Sequence, residues 1–214
     1  MDSENPDLIG SRPDAGDDDG AFGLFLRRWF ANPLSIGAIA PSAPALARRM
    51  AREVRWRDGE VVVELGPGTG AVTRALLEAG IPEDRLVLVE RDRQLHAYLA
   101  RRFPRALLIR GDARRLARRL PLELHGHVSA VVSSLPLVSL PRRARDEIVN
   151  GAFAVLAPGG RFVQYTYGLF SPLPRKELGL DGHKVGFAGI NLPPASIWRY
   201  TRPLASPSAP PALQ

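Results

Sequence analysis

Apolar residues in this chain gather into short runs, and four of them end at or within two residues of an acid, a glycine or a serine. Val61-Val62-Val63-Glu64-Leu65 passes into Gly66-Pro67-Gly68-Thr69-Gly70, and Leu86-Val87-Leu88-Val89 stops at Glu90. Ala106 to Ile109 leads to Gly111-Asp112-Ala113, and Val128 to Val132 leads to Ser133-Ser134-Leu135-Pro136-Leu137. Unbroken runs rich in β-branched residues suit strands covered on both faces, as in a parallel sheet. Between and around them lie helix signals. Ser42 is placed to cap a helix through Ala45 to Val54, with Pro44 tolerated in its first turn, and Pro141 to Leu156 reads as a helix covering one face of the sheet. The alternation predicts an α/β fold.

The glycine loop after the first strand suggests a ligand. Gly66, Gly68 and Gly70 allow a sharp turn and a close backbone approach. Their G-x-G-x-G spacing differs from the G-x-G-x-x-G of dinucleotide sites, and the carboxylate of Glu64 would repel a pyrophosphate. S-adenosylmethionine, with an ammonium and a sulfonium and no phosphate, fits that charge. Glu90 at the second strand end suits two ribose hydroxyls, and Asp112 at the third suits an adenine amino group.

With these features the chain resembles the class I S-adenosylmethionine-dependent methyltransferases over roughly residues 35 to 203. The loop at Ser133 to Leu137 and the turn Leu156-Ala157-Pro158-Gly159-Gly160 extend the likeness. The resemblance implies a Rossmann-like seven-stranded, mostly parallel sheet with helices on both faces and one antiparallel strand near the end. Strands are expected near 60–65, 85–90, 106–109, 127–133, 160–167, 184–192 and 196–202. It also implies a cofactor set of Gly37, Ser42, Glu64, Gly66, Pro67, Gly68, Thr69, Gly70, Glu90, Arg91, Gly111, Asp112, Ala113 and Ser133, with S-adenosylhomocysteine as product.

Composition changes this picture at the ends of the chain. The formal charge is +7, but residues 1–20 hold seven acids and one base, net −6, which leaves +13 on the rest. So charged and apolar-poor a segment cannot offset its ordering entropy and is expected to be a disordered tail, as is the Pro-, Ala- and Ser-rich stretch 204–214. Arginine clusters at 48–52, 114–119 and 142–145 make a basic surface that attracts anionic lipid or nucleic acid. Cysteine is absent, and His96, His125, His127 and His183 show no ligand spacing, so no metal is expected.

Residues 21–34 help to choose between those partners. Phe22, Phe25, Leu26, Trp29 and Phe30 share one helical face, with Arg27 and Arg28 off it. That stripe suits a helix lying in a membrane interface, with a lid packed on the core as the alternative. Residues 29–47 lack charge but are broken by Pro33, Pro41 and Pro44, so they do not read as a span, and the acidic start reads against a secretory signal. The expectation is a cytoplasmic protein held peripherally on the inner face of the membrane.

Several stretches together are similar to a narrower family, the bacterial phospholipid N-methyltransferases: Ser35 to Leu46, Glu64 to Gly70, Ser134-Leu135-Pro136-Leu137, Tyr165-Thr166-Tyr167-Gly168 and Asn191-Leu192-Pro193-Pro194-Ala195. That likeness implies successive methylation of phosphatidylethanolamine, through mono- and dimethyl intermediates, to phosphatidylcholine. Catalytic candidates are the Ser134 hydroxyl and the Leu135 carbonyl as acceptors from the amine, with Pro136 stiffening their loop. Tyr165 and Tyr167 point to one side of their strand, as cation–π partners for the methylated ammonium or as core aromatics. Arg175, Lys176 and His183 lie in a stretch read as an irregular loop overhanging the site, where they would meet phosphate or accept a proton. Two alternatives stand beside this reading. Ribosomal RNA adenine dimethyltransferases share the layout, but Leu137 stands where their loop carries an aromatic, so nucleic acid is the weaker partner. The other is a non-catalytic lipid-binding scaffold.

Overall fold

A computed structural model describes residues 43–167, 170–188 and 195–203. The expected acidic tail, the helix at Phe22 to Phe30, Gly37, Ser42 and residues 204–214 lie outside the described residues. One seven-stranded sheet organises the rest, in the order β3-β2-β1-β4-β5-β7-β6. Its strands are β1 (Val61–Leu65), β2 (Leu86–Glu90), β3 (Leu107–Arg110), β4 (Val128–Ser133), β5 (Leu156–Tyr167), β6 (Asp181–Ala188) and β7 (Ala195–Thr201). The first five pair in parallel. β7 runs antiparallel between β5 and β6. Strand order reverses between β1 and β4, so the cleft above their carboxyl ends is where such a sheet takes a ligand.

Alternation of side chains builds two cores from the central strands. On one face Val63, Leu65, Val87, Val89, Val131 and Phe162 pack with Leu116 of α4 (Leu116–Arg119) and with Ile148, Val149 and Ala152 of α5 (Arg142–Val155). On the other face Val62, Leu88, Ala130, Val132 and Val163 meet α1 (Ala43–Ala51), α2 (Ala71–Glu78) and α3 (Arg93–Arg102) through Met50, Leu76 and Leu99. Burial of apolar area at about 25 cal/mol per Å² makes these two layers the main stabilising term. Parity then carries a functional consequence. Glu64 shares the face of Val62 and so enters the layer beneath α2.

The expected boundaries hold for β1 to β4 within a residue or two, and three details differ. The first described helix spans Ala43–Ala51 rather than Ala45 to Val54. Beyond it the chain turns toward the sheet, where the Arg161 Nη1 donates to the Glu53 carbonyl at 3.0 Å and Arg199 pairs with the Glu53 carboxylate at 3.3 Å. The turn at 156–160 becomes an irregularity inside β5. Leu156 pairs with Val128, but the next partners are Arg161 and Ala130, and Gly159 absorbs the kink at φ 75°. The largest difference is the stretch read as an irregular loop. It holds a short helix α6 (Arg175–Leu178) and the start of β6, which runs over Asp181–Ala188 instead of 184–192. Its strand pattern is muted in sequence because two buried positions are glycines. A Cβ at Gly182 would meet Tyr200 at 2.6 Å, and one at Gly186 would meet the Arg49 Nε at 2.6 Å. Among the described residues no helix is long and apolar enough to cross a membrane.

Candidate active site

The loop after β1 is shaped by three glycines, all in the left-handed region at φ 68°, 58° and 79° for Gly66, Gly68 and Gly70. Its two ends are pinned by backbone bonds, Gly66 N–H to the Val89 carbonyl at 3.0 Å and Gly70 N–H to the Pro67 carbonyl at 2.8 Å. Gly70 has a second reason to lack a side chain. A Cβ there would sit 2.5 Å from the Phe103 ring, so this glycine lets α2 close on α3 rather than merely clearing room for a ligand.

Two carboxylates flank this loop, in different electrostatic states. Glu64 is fully buried; its Oε2 accepts the Thr73 hydroxyl at 2.6 Å, while its Oε1 has no partner among the described residues. Burial pushes its pKa from an ordinary 4.5 up to about 8, against the opposing Thr73 hydrogen bond and with a smaller push from the nearby Glu90. Glu90 is 3% exposed, and burial raises its pKa too. It is better compensated, for its Oε2 accepts from Gly68 N–H at 3.2 Å and its Oε1 from Asp92 N–H at 2.9 Å. Glu90 therefore ties the end of β2 to the glycine loop while keeping lone pairs for a ligand.

Asp112 stands after β3, as its spacing suggested, with much of its capacity engaged. Its Oδ1 caps the following turn by accepting from Arg114 N–H at 2.9 Å. Its Oδ2 takes the Arg114 guanidinium at 2.7 Å and pairs with Arg91 at 3.6 Å. Arg91 thus belongs to the site through Asp112. Gly111 N–H donates to the Glu90 carbonyl at 3.0 Å, and Ala113 packs into the core beneath. The strand ends of β1, β2 and β3 are rich in acceptors, including an orphaned buried carboxylate oxygen. That acceptor-rich set fits S-adenosylmethionine, which brings an ammonium, two ribose hydroxyls and an adenine amino group.

The loop after β4 departs from expectation at one atom. Ser134 N–H donates to the Leu65 carbonyl at 2.9 Å and carries the pairing with β1 past the end of the strand. Its hydroxyl is buried and has no partner among the described residues. The Leu135 carbonyl, offered by the sequence as a second acceptor, is occupied twice: by the Gln164 Nε2 at 2.9 Å and by Leu137 N–H at 2.9 Å. A carbonyl has two lone pairs, so this one is not available to an amine. Pro136 is buried in the same turn. Tyr165 and Tyr167 lie edge to face at 5.6 Å on the side of the sheet that carries Glu64, partly buried against the second core, and burial raises both phenol pKa values.

Other candidates are not brought to this cleft. His183 is exposed on the edge strand β6, with β4, β5 and β7 between it and β1, and its register partner is Arg199. Arg175 donates to the Gly182 carbonyl at 2.8 Å and Lys176 is exposed beside it on α6. Leu137 is 1% exposed and part of the first core, so it offers no surface for stacking a base. Sequence reading missed Thr73 and Gln164. Thr73 lies nine residues past Glu64 on the buried side of α2, and Gln164 is, with Thr166, one of two buried polar residues on β5. Among the described residues no group of His, Cys, Asp and Glu is placed to hold a metal ion.

Residues 62–160 match the family described as a methyltransferase domain. An ornithine lipid N-methyltransferase from Singulisphaera acidiphila is 35% identical over 148 residues, which span 68% of this chain and 77% of that protein. A ribosomal RNA small subunit methyltransferase A from Laribacter hongkongensis is 45% identical over 104 residues, 45% of this chain but 38% of that protein. Among solved structures, the glycopeptide N-methyltransferase MtfA complexed with S-adenosylmethionine shares the fold at a TM-score of 0.59 and 18% identity, over 75% of this chain and 94% of that one.

Proposed function

We propose that this chain, which belongs to the class I S-adenosylmethionine-dependent methyltransferases, methylates the amino nitrogen of an aminolipid at a membrane surface. The observation that carries the lipid class is the 35% identity to the ornithine lipid N-methyltransferase, sustained over most of both chains. Within that class we assign phosphatidylethanolamine, taken through its mono- and dimethyl forms to phosphatidylcholine, on the motifs at Ser134 to Leu137 and Tyr165 to Gly168. The amphipathic helix expected at Phe22 to Phe30 would meet the anionic inner face of the membrane or close over the site. The ribosomal RNA reading is weaker, because its relatives match over little of their length and Leu137 is a core residue.

S-adenosylmethionine supplies an electrophilic methyl group on a sulfonium. In this reading Glu90 would hold the ribose hydroxyls, the Glu64 oxygen without a partner among the described residues would take the ammonium, and the remaining lone pair on an Asp112 oxygen would take the adenine amino group. Ser134 accepts an N–H of the incoming amine and turns its lone pair toward the methyl carbon. Burial beside positive charge keeps the amine neutral, below the ~10.4 of an ordinary alkylammonium, so a strong base is not needed. The Tyr165 and Tyr167 rings attract the ammonium that develops, worth ~0.5–2 kcal/mol.

The test offers the full chain labelled S-adenosylmethionine with phosphatidylethanolamine vesicles, ornithine lipid vesicles and ribosomal RNA in parallel. Labelled mono-, di- and trimethyl phosphatidylethanolamine is the expected result. Label in ornithine lipid alone would move the substrate within the aminolipid class, whereas label in RNA alone would overturn the lipid reading. Cofactor binding without transfer to any of them would leave a scaffold.

A further inference from the structure

The backbone of Leu135 is gripped on both sides of its Cα by side chains from two neighbouring strands. Ser133 at the end of β4 and Gln164 on β5 are register partners, so their side chains leave the same face of the sheet side by side. The Ser133 hydroxyl accepts Leu135 N–H at 3.4 Å, and the Gln164 Nε2 donates to the Leu135 carbonyl at 2.9 Å. The same Nε2 donates to the Tyr165 carbonyl at 2.6 Å, and two carbonyl partners fix which end of the amide is nitrogen. Ser133 is fully buried and Gln164 is 1% exposed, so neither bond is shared with solvent. On the other side of the loop, Ser134 N–H is fixed to the Leu65 carbonyl. The backbone of Ser134 is thus held before and after its Cα, which leaves only the rotation of its hydroxyl, the buried oxygen that has no partner among the described residues.

We propose that Ser133 and Gln164 are positioning residues that aim the Ser134 hydroxyl at the N–H of the nucleophile, so that the first two methyl transfers depend on this clamp and the third does not. The inference rests on the aminolipid reading above. In each transfer the nitrogen lone pair forms the N–C bond, the C–S bond breaks, and its electron pair stays on sulfur. In the first two transfers the nitrogen also carries hydrogen, becomes cationic as the bond forms, and later loses one proton to water. A hydroxyl accepting that N–H binds more strongly as charge develops, which favours the transition state over the ground state. In the third transfer the nucleophile is a tertiary amine. It has no N–H, so Ser134 has nothing to accept and its placement ceases to matter.

The experiment measures kcat and KM of the full chain separately on vesicles of phosphatidylethanolamine, its monomethyl form and its dimethyl form. Gln164→Leu and Ser134→Ala should each lower kcat about tenfold or more on the first two lipids, the size of a lost hydrogen bond to a charged group, and leave the third within about twofold. Ser133→Ala should follow the same split, and Ser133→Thr, which keeps the hydroxyl, should restore most of the loss. Affinity for S-adenosylmethionine, measured by calorimetry, should be unchanged in Gln164→Leu and Ser134→Ala. Equal loss on all three lipids, or no loss on any, would overturn the clamp while leaving the aminolipid reading intact. A wild type that leaves the dimethyl lipid untouched would also overturn it. A wild type that methylates none of the three would remove the substrate assignment first and this inference with it.

Discussion

The two halves of the cleft hold their ligand-facing groups by opposite means. In the half built by β1, β2 and β3, backbone does the positioning: three glycines at positive φ shape the loop, and Glu90 is fixed by the N–H groups of Gly68 and Asp92. In the half built by β4, β5 and β7, side chains position backbone, as Gln164 holds a carbonyl 29 residues away in sequence. The first arrangement demands particular residue types at fixed spacing, since only glycine takes those φ values without strain and only an acid offers two acceptor oxygens there. The second can be met by common residues on strands that happen to be neighbours.

The largest test of this contrast is Glu90→Ala. It removes the acceptor for the loop amide as well as for the cofactor, and affinity for S-adenosylmethionine should fall at least about 100-fold by calorimetry, as two bonds to a charged group are lost. Gln164→Leu should leave that affinity alone. An equal fall in both variants would mean that the two halves are one unit.

Gly70→Ala probes the close approach of α2 and α3. A left-handed residue with a Cβ aimed 2.5 Å from the Phe103 ring should lose roughly 2–4 kcal/mol in urea denaturation. Phe103→Leu in the same chain should recover part of that loss. If it recovers none, the glycine is required for its φ of 79° alone.

Glu64→Gln has an effect confined to pH. The folded-state pKa of Glu64 lies above its ordinary 4.5, at about 8, so the folded protein keeps a proton that the unfolded chain releases. Its contribution to stability is complete below about pH 4.5 and is lost as pH rises to about 8. Without cofactor, the wild type should lose on the order of a few kcal/mol across that window relative to Glu64→Gln, measured by denaturation at several pH values. Parallel curves for the two proteins would mean that the carboxylate is already satisfied.

What could be read from the chain follows the same division. β1 to β4, and the acids at the ends of β1, β2 and β3, were visible because buried parallel strands tolerate little but apolar residues, and because the Gly66 to Gly70 loop answers to backbone geometry. β6 was misplaced because Gly182 and Gly186 occupy positions where a strand normally shows apolar side chains. The reason lies in Tyr200, Arg175 and Arg49, whose side chains fill that space.

The Leu135 carbonyl shows the same limit at the scale of one atom. Spacing puts it beside Ser134 after the fourth strand, and nothing local reveals that it is already taken. Its partner Gln164 is one polar letter in Phe162-Val163-Gln164-Tyr165, and its reach depends on β5 lying next to β4 in register. Residue types with a local backbone requirement announced the fold and the cofactor end of the cleft. Hydrogen bonds between strands distant in sequence, and the burial that raises the pKa of Glu64, exist only once the sheet has assembled and water has been excluded, so tertiary packing alone settles which acceptors remain free.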